Sequence, residues 1–345
     1  MTDLRESNDL NNPNESDELN GANGANGSNG SNHLNGATYS NGSLADERAP
    51  RSDRPMDEAP TVGVVVLTQG TRSGDLTRAV ESVLAQTGVT LDVVVVGNGW
   101  NPVGLPAAVK TLALVENLGI PAGRNRGVPT VTGEFLFFLD DDASIPSPSF
   151  LLDAIALLDA EPQIGLLQPR VIDPSGATNP RRWTPRIRKG SATHSSVVFS
   201  VWEGAVLMPR ATFDRTGGWA EPFFYAHEGI ELAWRVWDQG QTVWYSGDLV
   251  AHHPAIEPTR HDYYYRLNGR NRVWLARRNL PAILAVLYVG SWTAIQILRW
   301  RGNPLALRAW FGGWREGWQQ DPGERMPLRW VTVWRMSLAG RPPIV

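Results

Sequence analysis

The chain of 345 residues has room for one large domain or two ordinary ones, and its formal charge of -3 gives no overall reason to expect a nucleic-acid partner. With no cysteine it can form neither a disulfide framework nor a thiolate metal site, a composition that fits a reducing compartment. No charged leader followed by an apolar segment opens the sequence, so a secretory signal is not expected and the protein is expected to remain where it is made.

Residues 1–59 are polar and repetitive, with "NGANGANGSNGSN" over 20–32, and hold almost no large apolar residue to offset the entropy of ordering. They read as a disordered tail. Asn26, Asn29 and Asn41 each open an N-G-S triplet, which marks an acceptor only in a secreted chain, so no modification is expected. At Thr61 the texture changes: "VGVVVL" (62–67) is a short continuous apolar run of the kind buried on both faces of a parallel sheet. "DLTRAVESVLAQT" (75–87) then places Leu76, Ala79, Val80, Val83 and Leu84 on one helical face, and "LDVVVV" (91–96) returns as a second strand. "TLALV" (111–115) and "EFLFFL" (134–139) supply two further strands, with a helical stretch through "AGRNRGV" (122–128) between them.

Beyond residue 142 the pattern predicts a helix over 149–160, a strand at "IGLLQP" (164–169), an irregular basic segment "NPRRWTPRIRKG" (179–190) and an apolar run "GAVLMP" (204–209). "EGIELAWRVWDQG" (228–240) reads as a helix that packs Ile230, Leu232, Ala233, Val236 and Trp237 inward; "TVWYS" and "LVAHH" follow and close the domain. This alternation argues for an α/β fold with an open, mostly parallel, Rossmann-like sheet flanked by helices over 60–256.

The stretch "FLFFLDDDAS" (135–144) sets five apolar residues against three aspartates. In an open parallel sheet the ligand crevice lies beyond the carboxyl ends of the strands, and Asp140, Asp141 and Asp142 stand at such an end. Alternation along an extended chain sends Asp140 and Asp142 to one side and Asp141 to the other. Two carboxylates on one side repel unless a cation or donors intervene, and a hard ion such as Mg²⁺ or Mn²⁺ takes carboxylate and phosphate oxygens. The triplet therefore reads as the holder of a metal and, through it, of a diphosphate. The other reading is a solvated turn that caps the next helix.

The order of the surrounding segments adds a resemblance. "VVVLTQGTRSGDLTRAVESVLAQT", "ENLGIPAGRNRGV" (116–128), "FLFFLDDDA", "EGAVLMPRATFDRTGGWAEPFF" (203–224), "HEGIELAWRVWDQG" and "HH" (252–253) together resemble a family 2 glycosyltransferase of the GT-A fold, of the bacterial rhamnosyltransferase-like, envelope-glycan type, from about residue 61 to 275. The resemblance implies a nucleotide-diphosphate sugar lying across the strand ends. Asp140, Asp141 and Asp142 match the D-x-D element that touches ribose and metal, and His252 matches a histidine that completes the metal or phosphate site, with His253 its neighbour in reserve. Thr68 and Asn98 match positions that hold the base; Gly97 stands where the family has an aspartate. Gly119, Arg124 and Asn125 fall in a segment where a helix start and an arginine face the diphosphate or sugar, or else serve packing.

The reaction the resemblance implies is inversion at the anomeric carbon, with a carboxylate taking the proton of the acceptor hydroxyl. The usual base, an aspartate after the glutamate of the acidic helix, is replaced here by Gly229. Glu228 is the first candidate in its stead, and Glu231, one turn along, the second. Trp202, Glu203 and Gly204 match the segment that borders the acceptor, where Trp202 either stacks on a sugar or packs in the core.

Between residues 259 and 301 the arginines 260, 266, 270, 272, 277, 278, 299 and 301 face only Asp262. Nucleic acid is one reading of that excess. A membrane is the better one, because "LPAILAVLYVGSWTAIQIL" (280–298) carries no formal charge and is about long enough to cross a bilayer. Arginines at both of its ends, and tryptophans recurring from Trp292 to Trp334, favour a helical region over 257–345 that lies on the membrane; a single crossing and a buried core helix are the alternatives.

The chain is thus expected to be an inverting, metal-dependent glycosyltransferase at the cytoplasmic face of the cell membrane, peripheral or single-span. It would transfer from a nucleotide-diphosphate sugar to a lipid-linked or cell-envelope glycan acceptor, with no nucleic-acid partner. Gly97 and Gly229 motivate an alternative, a catalytically silent nucleotide-sugar-binding scaffold at the membrane. A sugar nucleotidyltransferase is a weaker one, since "LTQGTRSG" lacks the lysine of a phosphate loop.

Overall fold

A computed structural model of the chain describes residues 58–186, 190–255 and 262–344. The stretch up to residue 57, expected to be a disordered tail, lies outside the described residues, as do residues 187–189 of the basic segment and Arg260.

The strands are β1 (Thr61–Thr68), β2 (Thr90–Asn98), β3 (Val109–Leu114), β4 (Phe135–Asp140), β5 (Ile164–Ile172), β6 (Ser196–Val198), β7 (Ala205–Pro209) and β8 (Thr242–His252). Among the described residues they join in one sheet of order β3-β2-β1-β4-β7-β5-β8-β6. β1 runs parallel to β2 and β4, β2 to β3, and β5 to β8; β7 lies antiparallel between β4 and β5, and β6 antiparallel against β8. The sheet is therefore mostly parallel, as its continuous apolar runs require.

Those runs are buried on both faces. Val62, Val64 and Val66 of β1 and Phe135, Phe137 and Leu139 of β4 point into one core, against α1 (Ser73–Leu84) and, later in the chain, α3 (Phe150–Ala160). Val65, Leu67, Leu136 and Phe138 point into the other. α2 (Ile120–Gly127) and α4 (Arg210–Thr216) lie on that second side, with α5 (Glu228–Asp238), whose Leu232, Ala233, Val236 and Trp237 are buried as its periodicity predicts, while Ile230, also expected inward, is half-buried.

"TVWYS" and "LVAHH" prove to be one strand. Its pairing with β5 slips between Pro169 and Arg170, which face Ser246 and Val250, so residues 247–249 bulge out and the strand then resumes toward the histidines.

The C-terminal helices share the second core. α6 (Asp262–Asn279) contributes Val273, Trp274, Leu275 and Ala276 to the cluster that holds Leu67 and Phe138. α7 (Ala282–Arg299) turns Tyr288, Val289, Trp292 and Gln296 inward, where Arg272 donates to the Tyr288 hydroxyl at 2.6 Å and lies 3.8 Å over the Trp292 ring. Its other face leaves Ile283, Val286, Leu287 and Leu298 exposed. α7 is long and apolar enough to cross a membrane, with mean hydropathy 1.5, and 28% of it is buried. α8 (Pro304–Gln319) and α9 (Trp330–Leu338) extend the exposed apolar surface with Leu305, Trp318, Trp330, Trp334 and Leu338.

Candidate active site

β4 delivers the aspartates where its ladder ends, with the Asp140 backbone N–H donating to Gly204 O. The expected separation of the side chains is found, but a turn produces it and not an extended chain: β4 ends at Asp140, and Ala143 N–H donates to Asp140 O at 3.1 Å across Asp141 and Asp142. Asp141 turns to β1 and accepts from the Thr68 hydroxyl at 2.6 Å. Asp140 and Asp142 share the other side with His253, and their ligand atoms all lie within 4.8 Å of one another.

The histidine is not the one expected. His252 is half-buried and its backbone pairs with Ser144, whereas His253, 2% exposed, brings Nε2 to 3.0 Å from Asp142 Oδ1. A strand alternates its side chains, so neighbouring histidines face opposite ways and only one can reach the cluster. Edge-on contacts with Trp183 and Trp202, at 5.5 and 4.9 Å between ring centres, hold the His253 ring. Trp202 is therefore a buried wall behind the cluster, and not an open platform for a sugar.

Two carboxylates and one imidazole form a donor set suited to a divalent cation of intermediate hardness. Two arginines also face it. Arg72, just before α1, pairs with Asp142 and reaches Asp141 at 3.7 Å. Arg124 of α2 binds Asp140 Oδ1 at 2.6 Å and donates to Glu203 O at 3.2 Å, with its guanidinium 4.8 Å over Trp219. Arg124 is 1% exposed, and its Nε and Nη1 have no partner among the described residues. Burial, and then the Asp142 charge, push the Asp141 carboxyl up to about 7. Burial also works to raise Asp142, but His253 and Arg72 outweigh it and hold the group below the usual carboxylate range.

Beside the cluster a small, shallow cleft opens to solvent, lined by Leu67, Thr68, Gln69, Asn98, Asn117, Gly119, Ile120, Phe224 and Tyr225. Thr68 and Asn98 stand at the ends of β1 and β2, as expected. Asn98 shapes the cleft with its whole amide, donating to Asn117 Oδ1 and Gly119 O at 2.8 and 3.1 Å and accepting from Leu118 N at 2.8 Å. Gly119 opens α2 at φ 86°, and a Cβ there would meet Phe224 O at 2.5 Å. The departure at Gly97 has a steric reason, since a Cβ would lie 2.1 Å from Trp100 O.

Two expected site residues face elsewhere. Asn125 donates to Trp219 O and Glu221 and accepts from Trp219 N, so both ends of its amide pin the 219–221 loop and none is left for phosphate. Glu231 accepts from Arg278 Nε and Nη2 at 3.0 and 2.8 Å and from Asn279 at 2.8 Å, a buried clamp between α5 and α6. Glu228 remains. It is 3% exposed, its Oε2 has no partner among the described residues, and burial pushes it up to about 7 against the pull of Arg124.

Residues 64–217 match the model of glycosyl transferase family 2. No curated protein matches the chain. Among solved structures, S. aureus TarS 1-349 is similar at 15% identity with a TM-score of 0.52, covering 73% of this chain and 78% of that one, a likeness of fold. The Pyrobaculum calidifontis mannosyltransferase PcManGT, solved with GDP-Man and Mn²⁺, aligns at 17% identity and TM-score 0.47 over 85% of this chain and 81% of that one. GalNAc-T7, solved with UDP, GalNAc and Mn²⁺, aligns at 14% and 0.48 over 64% of this chain; the alignment spans half of that protein's length. The family match runs from within β1 to the end of α4, so residues 64–217 carry a glycosyl transferase family 2 domain, and the fold around it is like that of TarS.

Proposed function

We propose that the protein transfers a sugar from a nucleotide-diphosphate donor, with inversion, to a lipid-linked or cell-envelope glycan at the cytoplasmic face of the membrane. The observation that carries this reading is the convergence of Asp140, Asp142 and His253 beside the cleft at the ends of β1 and β2. The nucleoside would lie in that cleft against Thr68 and Asn98, and the diphosphate over the aspartates. Asp140, Asp142 and His253 would hold the cation, and the imidazole favours Mn²⁺ over Mg²⁺. A divalent cation there neutralises charge that develops on the departing diphosphate. The free Arg124 donors face the same oxygens or the sugar. Glu228 accepts the proton of the acceptor hydroxyl as that oxygen bonds to the anomeric carbon and the bond to diphosphate breaks, which gives inversion. A group near 7 suits the task.

The exposed apolar residues of α7, α8 and α9, set among arginines and tryptophans, support a peripheral membrane surface that brings a lipid-linked acceptor to the site. α7 packs one face on Arg272 and Trp234, which favours lying on the bilayer over crossing it.

Asp142→Asn is expected to abolish Mn²⁺-dependent release of nucleoside diphosphate, with the circular dichroism of the fold intact. A donor panel that includes a dTDP-rhamnose arm tests the rhamnosyl type. Unaltered turnover by Asp142→Asn would remove the site assignment.

A further inference from the structure

α5 begins at Glu228 under unusual constraint. Phe224, Ala226 and His227 have φ of 63°, 68° and 74°, the positive values found at non-glycine residues among those described. Such backbone persists only where its surroundings enforce it. Here Asn271 does so, donating to the carbonyls of Phe223, Tyr225 and Ala226 at 3.0, 2.6 and 3.0 Å. His227 supplies no side-chain cap. The cap comes from outside the helix: Glu203 Oε1 accepts from Gly229 N at 2.7 Å.

That carboxylate sits in a particular volume. A Cβ on Gly229 would lie 2.3 Å from Glu203 Oε1, 2.6 Å from its Cδ and 2.6 Å from the backbone carbonyl oxygen of Val201. Glu203 thus occupies the space beside Glu228 that a side chain at 229 would take. It is tied to the site at both ends, since its own carbonyl accepts from Arg124 and the next carbonyl, Gly204 O, accepts from Asp140 N. Burial and then the Glu228 charge push the Glu203 carboxyl well above the usual carboxylate range, against the pull of Arg124, and a serine or asparagine caps a helix equally well, so capping alone does not account for a glutamate here.

We propose that Glu203 is a positioning residue for proton transfer, supplying from the loop before β7 the carboxylate that α5 lacks at position 229 and fixing Glu228 with its free Oε2 toward the acceptor. The proposal rests on the reading of Glu228 as the base. It makes positions 203 and 229 competing seats for one carboxyl group, of which 203 is the less crowded because the Val201 carbonyl also stands against a Cβ at 229.

The test uses the full chain in five forms: the natural protein, Glu203→Ala, Glu203→Gln, Gly229→Asp, and the double variant Glu203→Ala with Gly229→Asp. Nucleoside diphosphate release is measured with UDP-GlcNAc, GDP-mannose and dTDP-rhamnose, each with Mn²⁺, and melting temperature is measured in parallel. Glu203→Ala is expected to lower kcat about 100-fold with donor KM unchanged. Gly229→Asp alone, with two carboxylates contending for one volume, is expected to lose both kcat and melting temperature. The double variant is expected to recover part of both, doing better than the sum of the single losses, because the Glu203 clash is gone while the Val201 carbonyl still crowds a Cβ at 229. If Glu203→Ala does not fold, Glu203→Gln, which keeps an acceptor for Gly229 N–H, is compared in its place. Unchanged kcat in a folded Glu203 variant, or purely additive losses in the double variant, would overturn the proposal. Should the natural protein release no diphosphate from any donor, the functional reading fails, and the melting temperatures alone still decide the exchange between 203 and 229.

Discussion

Asp142 and His253 are in direct contact, 3.0 Å from Oδ1 to Nε2, with both side chains almost wholly buried. The pair joins the end of β4 to the end of β8, so the site depends on which of two adjacent histidines faces the sheet end. His253→Ala is expected to abolish Mn²⁺ binding measured by calorimetry, and His252→Ala to leave it within about twofold. The reverse ranking would restore His252 as the ligand.

Arg72 competes for the same carboxylate. Its guanidinium pairs with Asp142 and neighbours Asp141, a positive charge beside the place proposed for a cation. Arg72→Ala is expected to tighten Mn²⁺ binding several-fold in the absence of nucleotide and to weaken UDP binding in the presence of Mn²⁺. No change in either titration would show that Arg72 stands clear of the occupied site.

The two glutamates of α5 separate by role. Glu228→Gln is expected to lower kcat about 100-fold or more with the melting temperature preserved. Glu231→Gln leaves Arg278 buried without its counter-charge, which is expected to cost about 3 kcal/mol of stability and to affect turnover only through the folded fraction. Denaturant unfolding beside single-turnover kinetics distinguishes the two, and equal kinetic losses in both variants would argue against Glu228 as the base.

Acidity gives a further handle. Burial raises Glu228 from 4.5 to about 7 in the folded chain, so the folded state binds this proton more tightly than the unfolded one. Its stabilising effect is full below about pH 4.5 and is lost as pH rises through about 7, where the fold must bury a charged carboxylate. Turnover runs the opposite way, rising toward pH 7 as the base ionises, and Glu228→Gln is expected to reduce the stability step near pH 7 to the part that Asp141, also raised to about 7, contributes.

The exposed face of the C-terminal helices is testable by sedimentation. Trp330→Glu with Trp334→Glu is expected to reduce binding to vesicles of anionic phospholipid at least several-fold without changing the fold, since both residues are more than half exposed. Equal sedimentation would place the membrane contact elsewhere.

Much of this was legible in the sequence because the physics is local. The runs 62–67 and 134–139 read as strands, and Asp141 was expected to part from Asp140 and Asp142, although the turn closed by Ala143 on Asp140, and not alternation, parts them. What was not legible depends on contacts distant along the chain. The three-residue bulge of β8 decides nothing that composition can show, yet the register after it turns His253 and not His252 to the cluster. Asn125 and Glu231 carry the right chemistry, but Trp219 and Arg278, 94 and 47 residues away, claim it. Arg72 lay inside a stretch noted only for lacking the lysine of a phosphate loop, and only the approach of the end of β4 to the start of α1 gives it an acidic partner.

The most direct measurement is anomalous diffraction from crystals soaked with Mn²⁺ and a nucleotide-diphosphate sugar. A manganese peak bounded by Asp140, Asp142 and His253, with phosphate oxygens on its open side and the nucleoside against Thr68 and Asn98, is the predicted result. Nucleotide bound with no manganese at those three side chains, or manganese bound elsewhere, would contradict the assignment.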